Sequence, residues 1–478
     1  MTWLLLTFHV LLIAGFGLRI LLRSDMRADV RLAWLMVIVL LPYVSCLLYF
    51  LFGEVALGRF SSQKRLNVRE FGKKHGGNVA AAADIDTCTH IPAQWQAAFR
   101  YASSINGFQA LPGHQAELMR DGTHARAQML ADMNAAQREI NVLYYIWLND
   151  QTGSDLAQAL IRAAQRGVTC RAMVDGLGSR ALIHSDLWQQ MKQGGVHLAI
   201  ALPIHRPLKV MLTSRLDLRN HRKITLIDEQ ITYCGSQNCA DEAFLVKPRF
   251  APWVDIMLRM QGPAVAQMQQ IFASDWAQSD AAIAPPSIAA ATTSHVGFTA
   301  VAIAEGPTER ARSTPALVAS LLACARTEVV ISTPYFVPDT TVLDALCTAA
   351  WRGVQVTLIL PALNDSWIVA AVSRSHYWRL LTAGVHIHEF SPGLLHAKTL
   401  CLDGCVSLIG STNLDLRSLD LNFENNMLLH DEATTQAIRQ RQQSYIHESQ
   451  LVTLEQVSAT PRRRRIWDNL LGALSPVL

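Results

Sequence analysis

Residues 2–22 and 33–53 are almost unbroken apolar runs rich in Leu, Ile, Val, Phe and Trp, each long enough to cross a bilayer as a helix. No Lys or Arg precedes the first run, and no small-residue cleavage site follows it before the second begins. The pattern therefore predicts a two-helix transmembrane anchor over residues 1–57 rather than a removed secretory signal. Residues 58–90 are basic, then Gly- and Ala-rich without a sustained period, and read as a linker. Past residue 90 the periodicity changes. A strand pattern at 140–145 leads through Asp150 to a helical stretch at 155–165, then to Arg166-Gly167-Val168 and a strand ending at Val174. The same succession returns later: 329–332, a helical stretch at 342–351, Arg352-Gly353-Val354 and a strand ending at Leu360. Each is a β-α-β unit, and each continues into a helix closed by Gly-Val-His, at Gly195 and Gly384.

The spacing of these landmarks, 186 residues between Arg166 and Arg352 and 189 between Gly195 and Gly384, predicts a duplicated α/β fold. Its expected sheet is mostly parallel and covered on both faces. A first domain is expected over 91–278, a Pro- and small-residue linker over 279–297, and a second domain over 298–460. A basic amphipathic segment at 461–478 closes the chain. Its apolar positions Ile466, Trp467, Leu470, Leu471 and Leu474 fit equally a helix lying on anionic lipid or one packed on the protein.

Composition sharpens the picture only in places. The heavier basic flank follows the second apolar run, at Arg59, Lys64, Arg65, Arg69, Lys73 and Lys74, so the charge bias puts the rest of the chain on the cytoplasmic side. A net charge of +4 over 478 residues is mild, and favours an anionic membrane surface over a long nucleic-acid groove. Nine cysteines, with no C-x-x-C pair, fit neither a disulfide framework nor a zinc site and are expected as small buried residues.

Each half carries H-x-K-x-x-x-x-D: His221, Lys223 and Asp228, then His396, Lys398 and Asp403. Each motif is followed at the same spacing by G-S-x-N, giving Ser236 and Asn238, then Ser411 and Asn413. Apolar residues around Asp228-Glu229 and Asp403-Gly404 predict a β-hairpin in both copies, and His and Lys two apart on a strand share a face. A pseudo-twofold pairing of the halves would gather two imidazoles and two ammoniums around one phosphodiester. Its transfer needs a nucleophile, an acid for the leaving alkoxide and positive charge at the phosphoryl oxygens. Two histidines divide the first two roles, the lysines supply the third, and the Ser and Asn side chains are expected to bind phosphate oxygens. No metal and no cofactor is called for. Asp228 and Asp403 belong either to the chemistry or to the hairpin turn.

The two motifs resemble the paired HKD motifs of the phospholipase D superfamily. With RNHRK (219–223), TPYFVPD (333–339), PGLLHAK (392–398), GSTNLDLRSLDLNFE (410–424) and LYFLFGE (48–54), the chain resembles the bacterial cardiolipin synthases over nearly its whole length. The resemblance implies two tandem phospholipase D-like α/β/α sandwich domains related by a pseudo-twofold, preceded by two transmembrane helices in the bacterial inner membrane. It implies phosphatidyl transfer between two phosphatidylglycerol molecules through a phosphohistidine, with anionic membrane lipid as partner and no nucleic acid. By analogy His221 is the nucleophile and His396 the general acid, the reverse being left open by symmetry, while Asp255 and Glu424 orient the two imidazoles. A phospholipase D hydrolase, a synthase using phosphatidylethanolamine or another alcohol, and a phospholipase D-type nuclease share the motifs.

Overall fold

The computed structural model describes residues 2–24, 26–53, 66–75, 87–203, 218–279, 281–288 and 296–475. Arg59, Lys64 and Arg65 of the basic flank, most of the linker 58–90, residues 280 and 289–295 of the linker 279–297, and residues 476–478 lie outside the described residues.

The first apolar run forms one helix, Thr2–Leu21. The second does not. It is divided into Ala28–Leu40 and Pro42–Phe52, with Leu41 at φ −135°, ψ 60° between them. Pro42 explains the break, because a proline has no amide hydrogen to continue the preceding helix yet fits the first turn of the next. Among the described residues no helix is long and apolar enough to cross a membrane, so the two spanning helices expected from the hydropathy pattern are not found as such. The three helices bury Ile20, Trp34, Ile38, Cys46 and Tyr49 against one another. Arg27, between the first two, forms an ion pair with Asp339 of the second half at 2.8 Å.

The duplicated units form as the pattern predicts. Asp150 caps the helix Gln151–Gln165 by accepting from Gly153 N, and that helix buries Leu156, Ala157, Leu160 and Ile161 at helical spacing. Its counterpart, Thr340–Trp351, is capped by Asp339 through Thr341 N and buries Val342, Leu343, Leu346 and Cys347. A carboxylate at the N-cap satisfies an otherwise orphaned amide in both copies.

All the long strands join one fifteen-stranded sheet. From one edge it runs Ser449–Val452, His386–Phe390, Gln355–Pro361, Glu328–Ser332, Thr399–Leu402, Val406–Gly410, Glu424–His430 and Phe298–Glu305. It continues through Leu111–Leu118, Met257–Gln261, Ile231–Gly235, Ile224–Ile227, Glu139–Tyr144, Thr169–Asp175 and His197–Ala201. The second series mirrors the first about the antiparallel join of Phe298–Glu305 with Leu111–Leu118. This corrects the expectation of a mostly parallel sheet. Within this sheet only the β-α-β crossovers pair in parallel: Glu139–Tyr144 with Thr169–Asp175, which pairs with His197–Ala201, and Glu328–Ser332 with Gln355–Pro361, which pairs with His386–Phe390. The motif hairpins and the strands that close each half bring antiparallel neighbours into the middle.

The halves also interlock. The helix Ala93–Asn106 opens the first half, yet Asn106 pairs its amide with both backbone groups of Ala304 in the second, at 2.8 and 3.0 Å. One apolar core runs from Leu143 and Ile224 across to Leu428. The described part of the 58–90 linker includes a helix, Val68–Lys74, pinned by Gln270 donating to Val68 O at 2.9 Å.

Candidate active site

Both predicted hairpins are present, Ile224–Ile227 with Ile231–Gly235 and Thr399–Leu402 with Val406–Gly410. At the turns Asp228 and Asp403 have φ of +52° and +48°, a left-handed conformation that Asp tolerates better than most residues. The Asp228 carboxylate accepts from the amides of Gln137, Arg138 and Glu139 at 2.8 to 3.0 Å. Asp403 accepts from those of Arg326, Thr327 and Glu328. Each aspartate therefore ties the hairpin tip to the start of the neighbouring strand. The structure does not bring Asp228 or Asp403 to the histidines, which lie at the other end of the same hairpins; the reading of these two as catalytic is corrected to a supporting one.

The histidines are strung along the opposite half. His221 N donates to Phe423 O at 2.9 Å. Leu394–Leu395 pairs in parallel with Trp253–Val254, and His396 N donates to Val254 O at 2.8 Å. Phe423 and Val254 each precede an acid. His221 Nδ1 consequently lies 2.9 Å from Glu424 Oε2, and His396 Nδ1 lies 2.6 Å from Asp255 Oδ1. The carboxylates are exchanged: each half supplies the acid that orients the other half's imidazole. With Nδ1 committed to a carboxylate, Nε2 is the nitrogen left for chemistry.

Behind each carboxylate stands the serine of G-S-x-N. Ser411 Oγ donates to Glu424 Oε2 and Ser236 Oγ to Asp255 Oδ1, while Asn425 N and Ile256 N donate to those hydroxyls at 2.9 and 3.0 Å. Ser236 and Ser411 thus hold the acids rather than facing a phosphate, which corrects their expected role. Asn238 accepts from Ile146 N at 3.3 Å and Asn413 donates to Ser418 Oγ at 3.1 Å. The glycines of the same motif are required by closeness: a Cβ on Gly235 would collide with Ile256 O, and one on Gly410 with Asn425 O.

Lys223 and Lys398 are only 1% and 3% exposed, and each Nζ donates to the carbonyl of its own motif histidine, at 2.8 and 2.7 Å. Burial pushes the Lys223 ammonium down to about 8, against the pull of Glu424 and Asp255. Burial, with Lys223 adding to it, brings Lys398 to about 7. Burial also lowers both imidazoles to about 4; Glu424 pulls His221 back up while the two lysines press it down, and the same balance with Asp255 holds His396. Each histidine feels the lysines of both motifs. The four groups form one electrostatic cluster, in which burial favours the neutral form of both rings and draws both lysines down toward neutrality.

Further residues complete the surround without belonging to any motif. Tyr145 meets the His221 ring edge-on at 4.8 Å, and Trp253 meets the His396 ring at 4.7 Å. Asp175 accepts from Leu177 N, Gly178 N and Asn220 N, fixing the residue before His221. Tyr145 and Asp175 sit at the carboxyl ends of parallel strands, where α/β sheets gather their ligands, and that position was the available signal.

Fold and site together define a class of proteins in which two mirrored α/β halves share one centre made of crossed imidazole–carboxylate pairs and two buried lysines. The family model described as "Cardiolipin synthase, PLD-like domain" matches residues 129–276 and 318–446, and that described as "Phospholipase_D-nuclease N-terminal" matches residues 3–54. The chain belongs to the cardiolipin synthase family of phospholipase D-like proteins. It is 34% identical to Cardiolipin synthase A of Proteus mirabilis (strain HI4320), over 100% of this chain and 99% of that protein. It is 33% identical to Cardiolipin synthase A of Yersinia pseudotuberculosis serotype O:1b (strain IP 31758), over 100% and 98%. Among solved structures, phosphatidylserine synthase of Haemophilus influenzae Rd KW20 superposes with a TM-score of 0.58, covering 79% of this chain and 100% of that one at 14% identity, a likeness of fold.

Proposed function

We propose that this chain transfers the phosphatidyl group of one phosphatidylglycerol to the terminal hydroxyl of a second, forming cardiolipin and glycerol. The observation that carries the reading is the crossed pair of imidazole–carboxylate couples around two buried lysines. A phosphodiester between the rings places its anionic oxygens near Lys223 and Lys398, with Asn238 and Asn413 as neutral neighbours. Its negative charge favours protonation of one imidazole, and the other stays neutral. His221 Nε2 attacks phosphorus; the N–P bond forms as the P–O bond to glycerol breaks, and protonated His396 gives its proton to the departing alkoxide. Neutral His396 then takes the proton of the second phosphatidylglycerol's hydroxyl, whose oxygen displaces His221 from phosphorus. The imidazolium that develops at each stage is supported by the other half's carboxylate.

The apolar helices at residues 2–52, adjoining the Arg27 to Asp339 ion pair, are read as the anchor that holds this centre against the bacterial inner membrane, with the catalytic halves on the cytoplasmic side. A diacyl lipid does not leave the bilayer cheaply, at about 0.8 kcal/mol per exposed CH₂. The substrate is therefore met at the headgroup level.

The test is product analysis with the full chain in phosphatidylglycerol vesicles. One glycerol released per cardiolipin formed supports the reading. Phosphatidic acid as the sole lipid product overturns it in favour of a hydrolase, and a requirement for phosphatidylethanolamine would reassign the donor.

A further inference from the structure

The helix Arg462–Leu474 is neither wholly packed nor wholly free. Asp468 pairs with Arg374 through both carboxylate oxygens, at 2.9 and 3.0 Å, and Leu471 is buried beside Val337, Ala371 and Val372. This fixes one face of the helix onto Trp367–Ala383. On the remaining faces Ile466, Trp467 and Leu470 are 69%, 47% and 49% exposed, beside the exposed arginines 462–465. Trp467 stacks on Trp367 with ring planes 14° apart, and Trp367 is itself 63% exposed.

The apolar surface continues from there toward the active site. Leu363, half-exposed, lies in the short segment before Trp367, and Asp365 of that segment binds Tyr335 at 2.7 Å and Lys247 of the first half at 2.6 Å. Next to Lys247 are Leu245 and Val246, 78% and 62% exposed. Phe244, the residue before them, stacks on Trp253 at 3.9 Å, and Trp253 meets the ring of His396. Scattered exposed hydrophobics need no explanation, but a set gathered on segments tied together by the Lys247 to Asp365 pair and flanked at one end by arginines 462–465 does.

Resting on the lipid-transferring reading above, we propose that Leu245, Val246, Leu363, Trp367 and the outer face of Arg462–Leu474 form one surface that sits in the headgroup layer of an anionic phospholipid bilayer and sets the mouth of the active site against it. Charge and shape select that occupant. Tryptophan rings favour the membrane interface, and a row of arginines beside apolar side chains matches a negatively charged headgroup layer rather than a neutral one. The surface is also continuous with the membrane end of the molecule, since Val337, against which Leu471 packs, is two residues from Asp339, the partner of Arg27.

Hydrogen exchange of the full chain, reconstituted in vesicles of phosphatidylcholine alone or mixed with phosphatidylglycerol, tests this without altering the protein. Slower exchange in 363–367 and 462–474 on adding phosphatidylglycerol is expected; unchanged exchange in both segments overturns the proposal. Kinetics give a second arm. Replacing arginines 462–465 by Gln, or Trp367→Ala with Trp467→Ala, is expected to raise the phosphatidylglycerol fraction needed for half-maximal rate by roughly tenfold or more, with hydrolysis of a water-soluble phosphodiester unchanged. Leu245→Ser with Leu363→Ser provides a variant pair outside the C-terminal helix, should that helix fail to dock. Wild-type lipid dependence in all of these overturns the surface. Failure of the unaltered chain to turn over either substrate would instead sink the lipid-transferring reading, leaving the exchange result to judge the surface by itself.

Discussion

At the scale of single residues, the H-x-K-x-x-x-x-D pattern joins two different duties. The His and Lys meet the reacting phosphodiester in the proposed chemistry, whereas the Asp holds three backbone amides at the far end of the hairpin. Asp403→Ala leaves those amides without their acceptor, at about 1–3 kcal/mol for such a loss. Chemical denaturation is therefore expected to show lower stability while kcat of the folded fraction stays near wild type; a lost kcat at unchanged stability would return Asp403 to the chemistry. The lysines carry a pH dependence. Burial lowers Lys398 to about 7 and Lys223 to about 8, so both charges are present below those values and are lost as pH rises through them. Affinity for an anionic phosphodiester should fall as pH rises through about 7 and then about 8, seen as a rising KM or a rising inhibition constant for a non-hydrolysable analogue. A flat profile would mean the ammoniums do not bind the phosphate. What the sequence carried at this scale was residue type and spacing: His221, His396, Lys223 and Lys398 stood out because they recur in a repeated context. It did not carry the direction of the serines, since a hydroxyl next to a motif glycine suits a phosphate oxygen and a carboxylate equally. Only the strand pairing decides between them.

At the scale of elements, hairpins and β-α-β units were legible because a period of two and a period of 3.6 leave different traces, and because Asp150 and Asp339 cap their helices locally. The mixed character of the sheet was not. Strand order is fixed by contacts far apart along the chain, such as Val329 with Leu402 on one side, 73 residues away, and Val356 on the other, 27 residues away, or the still more distant join of Phe298–Glu305 to Leu111–Leu118. The N-terminal break was present in the sequence as Pro42 but was outweighed by the hydropathy of residues 33–53. Elements also explain why G-S-x-N begins with glycine. At Gly410 the strand Val406–Gly410 runs too close to Glu424–His430 for a side chain. Gly410→Ala is expected to push those strands apart, loosening Ser411 from Glu424 and lowering kcat with KM nearly unchanged. Wild-type kinetics for Gly410→Ala would show that the register is more forgiving than this packing implies.

At the scale of the whole molecule, the mirrored halves share one sheet, one apolar core and one site, and neither half contains a complete histidine couple. His221 depends on Glu424 and His396 on Asp255, which is why the site was only partly readable: the acids were identifiable by resemblance, but the exchange between halves exists only in three dimensions. Residues 1–296 and 297–478 produced as separate chains should each lack transferase activity, with activity appearing when both are co-expressed and assemble. Turnover by either half alone would remove the shared centre from the account. The measurement that tests the central claim most directly is covalent trapping on the His396→Ala chain, using a phosphatidyl ester whose leaving group departs without a proton. Without His396 to activate the second alcohol, the phosphatidyl group is expected to accumulate on His221, as an acid-labile adduct located by mass analysis of the digested protein. No adduct during substrate consumption, or the same adduct in a chain that also lacks His221, would contradict it.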